Sequence, residues 1–143
     1  MYTFRRVYRS IEREFLVPNA NDIKTLLIVD DSRVSRMIIR TCVLQERPNW
    51  ILLEASSGDE ALEIADRDTP NYCTIDINMP GIPGTDAATK ILAKYPTTRI
   101  VIFSANIQGN QQASASSIGA QFVSKPVTQK SVGQALEFFE GRK

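Results

Sequence analysis

The chain has 143 residues, 43% of them hydrophobic and 23% charged, a composition typical of a globular protein with a single core. Its 17 basic and 16 acidic residues give a formal net charge of +1, so no overall positive field attracts nucleic acid, and we expect no nucleic-acid partner. The sequence contains no histidine, which excludes histidine-based acid–base catalysis, histidine metal ligands and phosphohistidine on this chain.

Neither the cysteines nor the apolar runs indicate export or membrane insertion. Cys42 and Cys73 lack the CxxC spacing and lie in apolar stretches, so they are predicted to be buried thiols of a reducing compartment. No apolar run approaches the roughly 20 residues of a membrane span, and the start of the chain has no secretory core. We therefore expect a cytoplasmic protein without a membrane span.

Residues 1–21 are predicted to form an amphipathic helical extension that Pro18 ends. The apolar residues at helical spacing are Phe4, Val7 or Tyr8, Ile11 and Phe15, and the arginines on other faces are Arg5, Arg6, Arg9 and Arg13. Three interpretations stay open: a helix docked on its own domain, a dimer or partner-binding helix, and a basic helix on a membrane surface.

Short apolar runs of strand length follow along residues 22–143. They are Thr25 to Val29, Ile51 to Leu53, Tyr72 to Ile75 and Ile100 to Phe103, with a weaker fifth at Phe122 to Val123. Polar Thr74 interrupts the third run. Because each run has the length of a strand and is apolar on both faces, we predict five buried strands.

Segments with helical periodicity separate these strands. The first three carry the apolar sets Val34, Met37, Ile38, Thr41 and Leu44, then Ala61, Leu62 and Ala65, then Ala88, Ile91, Leu92 and Tyr95. Helix starts are predicted at Ser32, Ser57 and Thr128, and Pro48, Pro70 and Pro96 follow the first three helices as stop signals.

The last two predicted helices differ in their apolar content. The fourth, 107–118, has few apolar residues and is predicted to be weakly held. The fifth, 129–140, places Val132, Ala135, Leu136 and Phe139 on one stripe and leaves Phe138 off it, which predicts that something covers Phe138.

Strictly alternating strands and helices predict an α/β fold with one parallel sheet, wound right-handedly, in a single domain over residues 22–143. No internal repeat interrupts this pattern, and we expect no output domain after the last helix.

Polar side chains follow four of the five predicted strands. Asp30 and Asp31 come after the first strand, Asp76 after the third, Ser104 after the fourth and Lys125 after the fifth. Ligands of open parallel sheets bind beyond the carboxyl ends of the strands, and the strand order 2-1-3-4-5 makes the first and third strands neighbours. That order brings three carboxylates into one crevice.

Three neighbouring carboxylates repel one another and favour a bound cation. Mg²⁺ prefers oxygen ligands and suits a site without Cys or His, whereas no loop of the calcium-binding type is present. Lys125 can offer a positive charge to a phosphoryl oxygen, and Ser104 can offer a hydroxyl donor. This set supports phosphoryl transfer with Asp76 as the nucleophile.

Four motifs in this order resemble the receiver domain of two-component response regulators, of the stand-alone chemotaxis type, over residues 24–141. They are VDDS (Val29 to Ser32), DINMPGIPG (Asp76 to Gly84), FSA (Phe103 to Ala105) and GAQFVSKP (Gly119 to Pro126). The resemblance implies the flavodoxin-like doubly wound sheet of order 2-1-3-4-5.

The same resemblance implies roles for individual residues. Asp76 is the phosphoacceptor, and Asp30, Asp31, Asp76 and the backbone carbonyl of Asn78 hold Mg²⁺ or Mn²⁺, with Asp30 acting through a water. Ser104 and Phe122 form a coupled switch pair, Lys125 is catalytic, and the Lys125–Pro126 bond is cis. From the residues alone, Phe122 is more typical of a plain core residue than of a switch, and Arg33 and Arg36 are either a solvated face or a contact for the donor.

The leading hypothesis is a phosphorylation-controlled signalling switch rather than an enzyme. A histidine kinase or phosphotransfer protein would donate to Asp76, and an unknown target would be bound through the face of the last two helices, or a homodimer would form there or through the extension. Two alternatives stay open: a phosphohydrolase of the haloacid dehalogenase type, whose general-acid position is Asn78 here, and an adaptor that works without phosphate.

Overall fold

The computed structural model describes residues 23–105 and 118–141. The strands are β1 Thr25–Val29, β2 Ile51–Ala55, β3 Tyr72–Asp76, β4 Arg99–Ser104 and β5 Gln121–Ser124, and the helices are α1 Arg33–Glu46, α2 Gly58–Arg67, α3 Gly84–Lys94 and α4 Gln129–Phe139. The extension 1–21 and all but the last residue of the fourth predicted helix, 107–118, lie outside the described residues.

All five strands are parallel and form one sheet in the order β2-β1-β3-β4-β5. This confirms the predicted α/β class and the strand order. The central strand β1 is buried from Leu26 to Val29 because helices cover both of its faces.

The helices form one layer on each face of the sheet. On one face α2 and α3 pack against alternate strand residues such as Leu27, Ile75 and Ile102. On the other face α1 and α4 pack against the intervening residues, which include Leu26 and Ile28. The side-chain alternation of each strand therefore divides the core into two halves.

Three predicted helix caps are confirmed. The Ser32 hydroxyl accepts a hydrogen bond from the Ser35 N–H, and the Ser57 hydroxyl accepts one from the Glu60 N–H. Thr128 and Ser131 form a reciprocal capping box at the start of α4. These caps fix where each helix begins relative to the strand before it.

The face that α1 buries differs from the predicted one. The buried residues are Ile39 and Val43, whereas Val34 and Met37 are 61% and 57% exposed. Apolar residues occur on more than one side of this helix, so periodicity alone did not identify the side that faces the sheet. An apolar patch therefore remains exposed on the first half of α1.

Helix α4 matches its prediction, and Phe138 is covered. The stripe of Val132, Ala135, Leu136 and Phe139 is buried. The Arg99 guanidinium lies 4.4 Å from the Phe138 ring centroid, and its Nε donates to the Phe138 carbonyl at 3.0 Å. A cation–π contact thus shields the ring that falls off the stripe.

Among residues 23–105 and 118–141, no helix combines the length and the apolar character that crossing a bilayer requires.

Candidate functional site

The residues that follow β1 are held by the neighbouring strand and helix. The Asp30 N–H donates to the Ala55 carbonyl at 3.1 Å, which continues the pairing with β2 one residue past the strand. The Asp30 carboxylate accepts the Ser32 N–H at 2.8 Å, just before α1 begins. Both the backbone and the side chain of Asp30 are therefore fixed in a tight turn.

Asp76 is the last residue of β3, and the loop after it is closed by two backbone contacts. The Ile77 N–H donates to the Phe103 carbonyl on β4, and the Gly84 N–H donates to the Ile77 carbonyl, both at 3.1 Å. A Cβ atom at Gly84 would lie 2.4 Å from the Asp76 carbonyl oxygen. Only glycine allows α3 to begin this close to the end of β3.

Three carboxylates meet at this edge of the sheet, as predicted. Asp30, Asp31 and Asp76 each place an oxygen within 4.8 Å of the others, and Asp30 and Asp76 are buried while Asp31 is exposed. Lys125 enters from the end of β5, where its N–H donates to the Ser104 carbonyl at 2.9 Å. Its Nζ lies 2.7 Å from Asp76 Oδ1, and the Lys125–Pro126 bond is cis, as the resemblance implied.

The charges at this site are only partly compensated. Burial raises the pKa of Asp30, the Ser32 hydrogen bond opposes this, and the nearby Asp76 charge raises the pKa further. Asp76 Oδ1 is buried, and its nearest charged partner is the Lys125 ammonium, 2.7 Å away. One lysine therefore faces three carboxylates, and this surplus of oxygen ligands fits the donor set of Mg²⁺.

Ser104 and Phe122 lie near one another on the adjoining strands. Ser104 is the last residue of β4 and is buried. Phe122 of β5 pairs in register with Ile102, which lies two positions before Ser104. The Phe122 ring belongs to the core half that α2 and α3 cover. Ser104 therefore lies at the carboxyl end of β4, and Phe122 lies on the neighbouring strand two residues further from that end. Their coupling stays a prediction.

Asn78 lies in the loop two residues after Asp76 and is exposed. Its position is compatible with the predicted carbonyl ligand, and that role stays a prediction.

Arg36 has a role that the sequence did not indicate. Its Nη1 donates to the Asp30 carbonyl at 2.7 Å and its Nε donates to Glu54 at 2.9 Å. It therefore ties the residue after β1 to the edge strand β2. The available signal was Glu54 itself, because a charged residue in an otherwise apolar strand needs a partner.

A family model described as the response regulator receiver domain matches residues 26–137. The match spans most of the chain, and the chain belongs to this family. Receiver domains generally accept a phosphoryl group and bind Mg²⁺ through an acidic pocket, and the cluster of Asp30, Asp31 and Asp76 is such a pocket in composition.

The relatives include complete chemotaxis proteins and parts of larger proteins. The chain is 34% identical over 113 residues to the chemotaxis protein CheY of Listeria monocytogenes, covering 78% of this chain and 94% of that one. It is 37% identical over 117 residues to a protein-glutamate methylesterase/protein-glutamine glutaminase of Archaeoglobus fulgidus, covering 78% of this chain but only 33% of that one. The likeness to the second protein thus concerns one third of its length.

Solved structures agree on the fold. The chemotaxis response regulator CheY4 of Vibrio cholerae superposes with a TM-score of 0.73 at 22% identity, covering 82% of this chain and 98% of that one. The architecture is shared although most residues differ.

Proposed function

We propose that the protein is a phosphorylation-controlled signalling switch in which Asp76 accepts a phosphoryl group from phosphohistidine on a donor protein. The observation that carries the proposal is the Lys125 ammonium 2.7 Å from an Asp76 oxygen, with two further carboxylates within 4.8 Å. The donor must be another chain, because this sequence has no histidine. We place the protein in the cytoplasm, where its donor would meet it.

In the proposed step, a carboxylate oxygen of Asp76 attacks the phosphorus atom and forms an acyl phosphate. The phosphorus–nitrogen bond of phosphohistidine breaks, and its electron pair stays on the donor's imidazole. Lys125 neutralises negative charge on the acceptor carboxylate and the incoming phosphoryl oxygens, and the Ser104 hydroxyl is positioned to donate to one of them. Positioning and charge compensation are therefore the protein's main contributions.

Asp30, Asp31 and Asp76 would hold Mg²⁺ or Mn²⁺, together with the Asn78 carbonyl. The ion supplies positive charge that draws the phosphoryl oxygens toward the acceptor. The buried oxygens of Asp30 and Asp76 lie at adjacent strand ends that backbone hydrogen bonds fix, which supports a preorganised site.

The switch would act through β4 and β5. Once Asp76 carries phosphate, the Ser104 hydroxyl would bond a phosphoryl oxygen, and the Phe122 ring would occupy the space that opens beside it. The surface near α4 and β5 would then change its affinity for a target protein. The parallel pairing of Ser104 with Ser124, two residues from Phe122, supports this coupling.

The donor protein would bind at the exposed apolar patch on α1. Val34, Met37 and Ile38 are exposed within the first two turns after Asp31. An apolar surface on the donor that covers them would place its phosphohistidine near Asp76. Met37→Lys should therefore slow labelling by a histidine-phosphorylated protein at least about tenfold and leave labelling by acetyl phosphate unchanged. Equal slowing with both donors would contradict this docking surface.

The test of the central proposal is phosphorylation of the full chain with acetyl phosphate and Mg²⁺, followed by intact-mass spectrometry. Wild type should gain one phosphoryl group that mild base removes, and Asp76→Asn should gain none. Asp59→Asn, the same change at an exposed aspartate on α2, is the matched control and should be labelled like wild type. If Asp76→Asn still acquires base-labile phosphate, the acceptor assignment is wrong.

A hydrolase with many turnovers is the less favoured function. An enzyme of the haloacid dehalogenase type needs a general acid two positions after its nucleophile, and the amide of Asn78 is not acidic enough to serve there. Sustained release of phosphate from small phosphomonoesters by the purified chain would reverse this preference.

A further inference from the structure

Two isoleucines are exposed where the described chain begins. Ile23 is 38% exposed and Ile51, the first residue of β2, is 52% exposed. They are close in space, because the Ile51 N–H donates to the carbonyl of Lys24, the residue after Ile23, at 2.9 Å. β2 is also an edge strand, and natural proteins cover or charge such edges to prevent strand-to-strand association.

Ile51 faces the layer that contains α2. Thr25 pairs with Ile51. Each lies two residues before a member of the core half that α2 and α3 cover, Leu27 and Leu53 respectively, and therefore points to the same face of the sheet. α2 nevertheless leaves half of the Ile51 side chain exposed. The apolar surface therefore lies next to α2, at the start of β2, where residues 1–22 join the domain.

The outer surface of α2 is strongly acidic. Its exposed acids are Asp59, Glu60, Glu63 and Asp66, followed by Asp68, and Arg67 is its one cation. Lys94 of α3 pairs with Asp66 at 2.9 Å, whereas Glu63 makes no ion pair within the part of the chain that the structure describes. A basic segment would be attracted to this helix.

Residues 1–21 have the matching chemistry. They contain four arginines and two glutamates, with apolar residues at helical spacing. If helical, residues 1–17 span about 25 Å, which exceeds the roughly 15 Å of the ten-residue α2. A helix of that length would be long enough to reach along the whole of α2 from Ile23.

Charge separates this surface from the exposed apolar patch on α1. α1 carries Arg33, Arg36 and Arg40, and its only acid is Glu46 at the last position. Arg36 and Arg40 share one partner, Glu54 of β2, so the three arginines are only partly compensated. A segment with four arginines would be repelled there, so the larger apolar patch is the poorer electrostatic match.

We propose that residues 1–21 dock on their own domain, with their apolar side over Ile23 and Ile51 and their arginines beside the acidic surface of α2. Of the three interpretations that the sequence leaves open for this segment, the structure favours the first. The docked segment covers the free edge of β2.

The test is hydrogen–deuterium exchange with mass spectrometry on the full chain. In wild type, amides of residues 1–21 should exchange at least about tenfold more slowly than in a free peptide of the same sequence. Arg9→Glu with Arg13→Glu should abolish this protection and speed exchange around Ile51. Because these variants leave residues 23–141 untouched, loss of protection cannot come from damage to α2.

A charge swap then identifies the partner surface. Adding Glu60→Lys and Glu63→Lys to the arginine variant should restore most of the protection. Glu137→Lys, an exposed charge reversal on α4 at the opposite face, is the control and should leave the wild-type protection unchanged.

Three results would overturn the proposal. Residues 1–21 could exchange at the rate of the free peptide, or the charge reversals could leave their protection unaltered. Protection that disappears on dilution, with light scattering giving twice the chain mass of 16.0 kDa, would instead assign the segment to a second copy of the chain.

Discussion

The two ends of the sheet are built on opposite principles. At the carboxyl ends of the strands, two buried carboxylates and an exposed one lie together, and among the described residues Lys125 pairs with Asp76 alone, at 2.7 Å. At the amino ends, Tyr72 stacks on Phe139 with ring centroids 4.7 Å apart and contacts Trp50 at 5.2 Å. There, the Arg47 guanidinium donates hydrogen bonds to both carboxylate oxygens of Glu140, at 2.9 and 2.6 Å. This ion pair joins the ends of α1 and α4.

This difference separates stability from function. The amino end offers aromatic burial and a bidentate ion pair, both of which favour the folded state. The carboxyl end holds like charges together, which disfavours the folded state unless a cation compensates them. Mutations at the two ends should therefore have opposite signatures in stability and in ligand response.

The largest effect is expected at the aromatic end. Phe139→Ala should lower the free energy of unfolding by about 3–5 kcal/mol, because it empties a buried site between two helices and the sheet. Urea denaturation measures this loss, and the partly exposed neighbour Phe138→Ala should cost clearly less. The stabilisation by Mg²⁺ should persist in the folded fraction. Its disappearance would contradict the separation of the two ends.

The response to Mg²⁺ is the next largest effect. At about 100 times its Kd, Mg²⁺ should raise the free energy of unfolding by about 2.7 kcal/mol, since the ion binds only the folded site. Asp31→Ala should remove most of that gain, whereas Asp59→Ala on α2 should keep it. Thermal melts with and without Mg²⁺ measure both. An unchanged melting temperature in wild type would count against the acidic site.

A smaller effect is expected at Thr74, in the middle of β3. Its hydroxyl is buried, 2% exposed, and has no hydrogen-bond partner within the described chain. Thr74→Val should therefore raise the free energy of unfolding by about 1 kcal/mol. Thr98→Val is the matched control, because the Thr98 hydroxyl donates to the Pro70 carbonyl at 2.8 Å. It should destabilise, and equal signs for the two changes would refute the explanation.

The pH dependence of the free energy of unfolding should have one sign for Asp30 at the acidic site and the opposite sign for an exposed aspartate. Burial raises the pKa of Asp30 above its usual value, so its charge disfavours folding at neutral pH. In EDTA, Asp30→Asn should stabilise the protein, and the gain should fade as the pH falls toward 3.8, where the unfolded chain's Asp takes up its proton. Denaturation midpoints across this range measure the trend.

Asp66 provides the control of opposite sign. A hydrogen bond from the Tyr95 hydroxyl, followed by one from Lys94, lowers the pKa of Asp66, so its charge favours folding above the usual Asp pKa. Asp66→Asn should therefore destabilise at neutral pH, and the loss should vanish as the pH falls through the lowered pKa. Stabilisation by both substitutions would refute the assignment.

The sequence was sufficient for the sheet, the caps and the acidic cluster. Five apolar runs define the strands, and the rule that ligands bind at the carboxyl ends of parallel strands correctly predicts that Asp30, Asp31 and Asp76 meet. Each of these inferences depends on local pattern or on topology. The residues alone were sufficient for the strands and the caps, whereas the strand order that brings the carboxylates together was implied by the resemblance to receiver domains.

Features that depend on packing were not accessible. The buried side of α1 depends on which helix face fits the sheet, and Val34 and Met37 were as apolar as Ile39. The role of Arg36 depends on Glu54, 18 residues away on a different element. Such pairings become visible only when the strand and helix are placed side by side.

The end of β3 and the start of α3 touch backbone to backbone, because the Asp76 carbonyl occupies the space that a Cβ atom of Gly84 would need. A displacement of the Asp76 backbone would therefore meet the backbone of the first turn of α3 directly, with no intervening side chain.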